Sequence, residues 1–334
     1  SESRSQNAKR NSIWGMLQKI VAIFGPFFVR TILIKILGAE YLGLGSLFTS
    51  ILSVLSLAEL GFGAAIVFSM YKPIAENQKD VICALLNIYR KIYRVVGAIV
   101  LILGLSLLPV LPQLIKSGVP ADINIYILFI IYLVNSVSSY WLFAYKISLL
   151  NAHQRADVTS KIDFILMIGL YTAESVSLII FRNYYCYAVL LPCYTIARNF
   201  VASHYAKKMF PEYLPSGKIS KEMESSLKKS VLGLMITKLS SVSRNAFDSI
   251  IISAFIGLTA VAIYNNYYYV LNAITGLLLV FTTAIAAPIG NSVASETKEK
   301  NFEDMNRLNF AYMWISGWCT VCLACLYQPF MNIW

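Results

Sequence analysis

The apolar positions of this chain run together in nine long blocks, and the polar stretches between them hold most of the charge. The blocks cover residues 13–37, 41–70, 95–115, 123–149, 164–181, 187–206, 231–256, 261–288 and 310–333. A helix needs roughly 20 apolar residues to cross the hydrocarbon core of a bilayer. The pattern therefore predicts an all-α polytopic membrane protein with about nine spans.

The polar stretches orient the spans. With the N-terminus inside, the inner loops and helix ends collect Arg4, Lys9, Arg10, Lys72, Lys79, Arg90, Lys91, Arg94, Lys146, Arg155, Lys161, Lys207, Lys208 and seven more basic residues up to Arg307. The outer loops, including 117–124, hold only Lys116 and Arg182, with Lys35 close to an outer end. That asymmetry follows the positive-inside rule. It predicts a cytoplasmic N-terminus and an inner segment at 207–230.

Composition agrees. The 334 residues are 57% hydrophobic and 13% charged, with a mean hydropathy of +0.64. A soluble domain carries about 25% charged residues. The net charge of +11 follows from the basic inner loops and calls for the lipid bilayer as a partner, not for nucleic acid. The basic start and the long first block do not read as a cleaved signal peptide. Cys319, Cys322 and Cys325 have the C-x-x-C-x-x-C spacing of cluster ligands. They sit in "WCTVCLACLY", an apolar helix in which Cys serves as a small hydrophobe.

A shift of 219 residues brings out an internal repeat. "KILGAEYLGLGSLF" from residue 35 falls on "AFIGLTAVAIYNNY" from residue 254, so that Gly38 meets Gly257, Leu44 meets Ile263 and Lys19 meets Lys238. With a small slip, "KPIAEN" falls on "APIGNS". Two halves of like orientation are the mark of parallel-repeat transporters. The expected organisation is a six-helix lobe at 1–206, a cytoplasmic linker at 207–230, and the first three helices of a second lobe at 231–334. At least three further helices are expected to complete that second lobe.

The same stretches carry a family resemblance. "RNSIWG", "ILGAEYLGLGSLF" and "SLAELGFGAAIVFSMYKPIAEN" resemble the polysaccharide transport family. These are Wzx-type flippases for O-antigen, capsule or exopolysaccharide repeat units, within the multidrug/oligosaccharidyl-lipid/polysaccharide exporter superfamily. The resemblance implies two six-helix lobes around a central cavity in the bacterial cytoplasmic (inner) membrane. It also implies translocation of an undecaprenyl-diphosphate-linked oligosaccharide from the inner to the outer leaflet, with a polysaccharide polymerase and glycosyltransferases as candidate partners. It implies no enzyme activity and no cofactor.

Eight charges lie deep inside the blocks, away from their ends: Lys19, Arg30, Arg198, Lys238 and Arg244 against Glu59, Glu174 and Asp248. Charges at mid-bilayer cost about 2.5–3.5 kcal/mol on insertion scales, so they face a wet cavity or a partner. Counted from the turn near Ala39, Lys19 and Glu59 are equally deep, about 30 Å of helix away. Glu59 is therefore expected to face Lys19. Such a pair would fix helix packing, with a substrate- or proton-linked role as the alternative. Arg30 lies about 14 Å from the turn, after Gly25-Pro26, where a proline bends a helix. It suits a diphosphate, which a guanidinium grips with several donors; the alternative is a partner such as Glu174. Arg244 and Asp248 are four apart and can pair along their helix. The excess of deep cations, Arg198 and Lys238 included, would attract an anionic headgroup.

In "YNNYYYVLN", Tyr264 and Asn265 could stack on and hydrogen-bond a sugar, although tyrosines at a membrane interface are expected anyway. His153 and His204 stand near inner ends without a metal-ligand constellation. No nucleotide-binding loop or nucleophile–base arrangement is legible. Competing readings are a multidrug or small-cation exporter of the same superfamily, which should prefer acids in its cavity, and a membrane-embedded polysaccharide polymerase, which should carry a large outer loop.

Overall fold

The structure, a computed structural model, describes the backbone of residues 4–59, 61–116, 118–295 and 297–334, and their side chains apart from residues 4–9, 237, 241, 243–245 and 280–295. The helices in chain order are α1 (Arg4–Ile36), α2 (Ala39–Leu55), α3 (Phe62–Ala75), α4 (Lys79–Ser106), α5 (Ile125–Trp141), α6 (Ala144–Ala152), α7 (Ala156–Phe181), α8 (Tyr184–Met209), α9 (Lys221–Phe255), α10 (Leu258–Ser295) and α11 (Lys298–Ile333). Two 3-10 segments, Ser56–Glu59 and Leu108–Leu114, complete the order, and no strand occurs among the described residues.

Each apolar block falls on a helix, and three blocks are broken. The second changes to a 3-10 turn at Ser56 and restarts after Gly61, which is left-handed at φ 77°. The third bends by 59° where α4 meets the 3-10 segment Leu108–Leu114, which contains Pro109 and Pro112. Neither proline can donate a backbone N–H to the turn before it. The fourth bends by 50° between α5 and α6, at Phe143, whose φ is 57°. That break seats the Trp141 indole, which donates to the Arg94 carbonyl at 3.1 Å. The indole occupies the space beside Gly97, where a Cβ would stand 2.2 Å from Trp141 Nε1.

Among the described residues, Ala39–Glu59, Ala156–Phe181 and Lys298–Ile333 are each long and apolar enough to cross a membrane, and the two bent pairs add two more. Helices α1 and α9, of 33 and 35 residues, have the length but carry several of the deep charges. Phe28, Ile102, Ile180 and Phe181 stand exposed on α1, α4 and α7. So much outward apolar surface is unusual in a water-soluble monomer and suits a lipid environment.

Two compact units form, Ser1–Ala262 and Ile263–Trp334. In the first, Phe48 packs edge-on against Phe129 and Tyr132, at 5.2 and 5.7 Å between ring centroids. The buried Tyr132 and Tyr184 hydroxyls meet at 3.1 Å. In the second, Tyr264 stacks on Tyr268 at 6.0 Å, and the Tyr327 hydroxyl donates to the Tyr267 carbonyl.

The proposed repeat has a local counterpart at its two glycines. Gly38 and Gly257 both join successive helices at positive φ, 113° and 133°. The N–H groups of Leu37 and Gly38 donate to the Leu33 carbonyl at 2.9 and 3.3 Å, and those of Ile256 and Gly257 donate to the Ile252 carbonyl at 2.9 and 3.0 Å. Two donors on one helix-end carbonyl, followed by a glycine in a conformation that other residues avoid, recur at the same shift as the sequence match.

Membrane orientation is testable at two exposed loop positions. In a cysteine-free background, Ala121→Cys is expected to react with an impermeant maleimide from outside the cell, and Ser216→Cys is not. The opposite labelling pattern would reverse the topology.

Candidate functional site

The first polar centre is built on the break in the second block. The 3-10 turn ends on Glu59, and the two glycines that follow, Gly61 and Gly63, make room for its partners. A Cβ on Gly61 would stand 2.9 Å from the Leu234 side chain of α9. A Cβ on Gly63 would stand 2.6 Å from the Tyr93 hydroxyl and 3.0 Å from Glu59 Oε1. Into this space Lys238 of α9 donates to Glu59 Oε2, and the Tyr93 hydroxyl of α4 donates to Glu59 Oε1. The Glu59 and Lys238 side chains are 19% and 25% exposed. Tyr93 is held in turn by Tyr89, stacked at 4.2 Å, and by Tyr140 at 5.6 Å.

Glu59 therefore faces Lys238 and not Lys19. A residue count from the turn is the wrong measure here, because it does not say which helices pack together. Helix α1 packs chiefly on α7, whereas α2 and α3 face α9. Lys19 is half-buried on α1. The residue that does pair is the one the repeat sets equivalent to Lys19.

The second centre lies between α7 and α8. Arg198 donates twice to Asp163, at 2.5 Å from Nε to Oδ1 and 3.0 Å from the terminal nitrogen to Oδ2. This two-point fork supplies the partner that the deep-charge count lacks, and it corrects the expectation that Arg198 is a cation available to a diphosphate. The pair borders a polar cavity of about 510 Å³ with Tyr89, Ser148, Asn151, Tyr194 and Asn199 on its walls. Nearby, the Thr195 hydroxyl donates to Asn135 Oδ1 at 2.6 Å. With both charges largely buried, removing one strands the other. Asp163→Asn and Arg198→Gln are each expected to lower folded yield. The exchange Asp163→Arg with Arg198→Asp is expected to yield more folded protein than either single change, as read by size-exclusion of the detergent extract.

Arg30 sits half-buried on α1, which continues through Pro26 to Ile36 without breaking. Close approach of α7 is allowed by Gly25, where a Cβ would stand 2.1 Å from the Tyr171 ring. Arg30 and Glu174 act electrostatically on the same phenol, Tyr187 of α8, and Glu174 is buried at 5% exposure. Asp248 is exposed on α9, while the side chain of Arg244 lies outside the described residues. Tyr264 and Asn265 are half-buried on α10. Cys319 and Cys322 line an apolar cavity of about 380 Å³ with Leu277 and Trp318. Among the described residues, no group of three His, Cys, Asp or Glu is placed to hold a metal ion.

Tyr93, Asp163 and Asn11 are the residues that the sequence pattern left unmarked. Asp163 borders its apolar block, and depth-matching across the turn near Arg182 would have paired it with Arg198. Asn11, inside "RNSIWG", ties α1 to the start of α7. Its amide donates to the Gln154 carbonyl at 3.0 Å, and its Oδ1 accepts from the Asp157 N–H at 2.7 Å.

The family model described as "Polysaccharide biosynthesis protein" matches residues 8–290. Among solved structures, the chain resembles the inward-facing conformation of a multidrug resistance MATE family transporter of the MOP superfamily. The TM-score is 0.67 at 17% identity, over 97% of this chain and 74% of that one. No curated protein sequence matches the chain.

Proposed function

The chain belongs to the polysaccharide biosynthesis protein family, and from that premise we propose that it is a flippase for lipid-linked oligosaccharides. Its cargo is an undecaprenyl-diphosphate-linked repeat unit, moved from the inner to the outer leaflet of the bacterial cytoplasmic membrane for capsule, O-antigen or exopolysaccharide synthesis. The family match over most of the chain, on a helical transporter fold, is the observation that carries this reading. Arg30 is its proposed diphosphate contact, with Tyr264 and Asn265 as sugar-facing candidates.

Such a protein handles a membrane-bound substrate without changing its bonds. What it must supply is a polar surface at membrane depth for a charged headgroup. The Asp163–Arg198 cavity and the Glu59–Lys238–Tyr93 cluster, polar groups set among apolar helices, support this reading.

The reading is tested in a strain lacking the native gene. Restoring the protein is expected to restore surface polysaccharide and to clear lipid-linked repeat units from the inner leaflet. Unchanged inner-leaflet accumulation would overturn it. Altered drug tolerance with unchanged polysaccharide would favour an exporter, the activity named for the structural neighbour.

A further inference from the structure

A further cavity lies where the start of α1, the start of α7 and the end of α8 converge. It has a volume of about 620 Å³. Four cations border it, Arg10, Arg155, Lys161 and Lys208, against one carboxylate, Asp157. Asp157 is buried and already engaged. Arg10 approaches it at 2.7 Å, and Arg155 donates to both its oxygens at 2.9 and 3.2 Å. This triad fixes the two arginines as a rigid floor with net positive charge. Lys161 and Lys208 stand exposed at its edge. The Lys161 ammonium lies 5.3 Å from the centre of the Trp14 ring, which holds it toward the cavity mouth.

The opposite wall is apolar. Ile165, Leu166 and Met209 belong to it, with Val158, Ile162 and Val201, and Ile165 is 55% exposed. One turn further along α7, Ile168 is also exposed, at 45%. The cavity thus joins a cationic floor to an apolar track running up the outside of a spanning helix. A free phosphate would use the first and ignore the second. A phospholipid uses both, its phosphate on the cations and an acyl chain along Ile165 and Ile168. Basic pockets between spanning helices at the cytoplasmic side are suited to anionic headgroups, and the positive-inside pattern sets this end of the bundle there.

We propose that this cavity is a binding site for an anionic phospholipid of the inner leaflet. It is separate from the deep residues that the flippase reading invokes, and it stands or falls independently of that reading. Two lysines at its edge are read without disturbing the Asp157 triad, because neither pairs with that carboxylate.

The test uses the full chain, delipidated in a neutral detergent and titrated with short-chain phosphatidylglycerol by native mass spectrometry. Phosphatidylcholine and inorganic phosphate are run in parallel. The wild type is expected to hold phosphatidylglycerol in preference to phosphatidylcholine, and millimolar phosphate should not displace it. Lys161→Gln with Lys208→Gln should weaken binding by about thirty-fold, and Lys161→Arg with Lys208→Arg should preserve it. If the double Gln variant does not elute as folded protein, each single Gln variant is read and should lose about five-fold. Equal binding of the two lipids, or unchanged affinity in the Gln variants, overturns the proposal. Full displacement by inorganic phosphate overturns it in favour of a soluble-anion site.

Discussion

Glu59→Gln is expected to lower the melting temperature of the detergent-solubilised protein by roughly 5 °C, while Glu59→Gln with Lys238→Met returns to within about 2 °C of the wild type. The reasoning rests on what each change leaves behind. Glu59 accepts from Lys238 on one oxygen and from Tyr93 on the other. Glutamine keeps an acceptor for the Tyr93 hydroxyl but takes the counter-charge from a lysine that is only 25% exposed. Breaking a buried pair this way costs about 3–5 kcal/mol, and partial exposure places this one toward or below the lower end. Methionine at 238 then removes the stranded ammonium while keeping a chain of similar length in the gap beside the glycines. A double variant no more stable than Glu59→Gln would show that the charges act separately. In a rescued double variant, transport can be measured on a sound fold, which separates a structural tie between α9 and the broken second span from a role in the cycle.

How far the sequence foretold this arrangement depends on the kind of feature. Helix existence was legible, because apolar length is a one-dimensional property and the nine blocks exceed what a loop needs. The breaks were not. Leu55 to Gly61, Ser106 to Leu108 and Trp141 to Ala144 are apolar on both sides, so no polar gap announces them. What creates the breaks is local: a left-handed Gly61, prolines at 109 and 112, and a left-handed Phe143. The partner of Glu59 was missed because a residue count from a turn does not say which helices pack together, and α2 and α3 face α9. Arg198 was marked as a charge inside an apolar block, but its acid lay just outside one. At Gly61 and Gly63 the absent side chains let Leu234 and Tyr93 approach. The paired glycines of the 219-residue shift were legible, and both stand at positive φ, a conformation that favours glycine.

Arg30→Ala is expected to abolish surface polysaccharide while leaving membrane abundance near wild type. Arg30 stands six residues before the end of α1, beyond Pro26 and just past the close contact of Gly25 with Tyr171. It shares its surroundings with Glu174 and Tyr187, so the local field is mixed. A diphosphate passing at that depth has lost most of its water, and several fixed donors from one side chain replace hydration that a single ammonium cannot. Arg30→Lys is therefore expected to restore only part of the polymer. Arg30→Glu, which sets a negative charge against a negative headgroup, should be as inactive as alanine. The informative readout is where the repeat units stop. Lipid-linked units should accumulate on the inner leaflet in the alanine and glutamate variants, and inverted vesicles expose that leaflet to a glycosidase. Loss of polymer together with loss of protein from the membrane fraction would assign Arg30 to packing between α1 and α7. Normal polymer with Arg30→Ala would remove it from the path, and normal polymer with Arg30→Glu would exclude a cationic grip at this depth of α1.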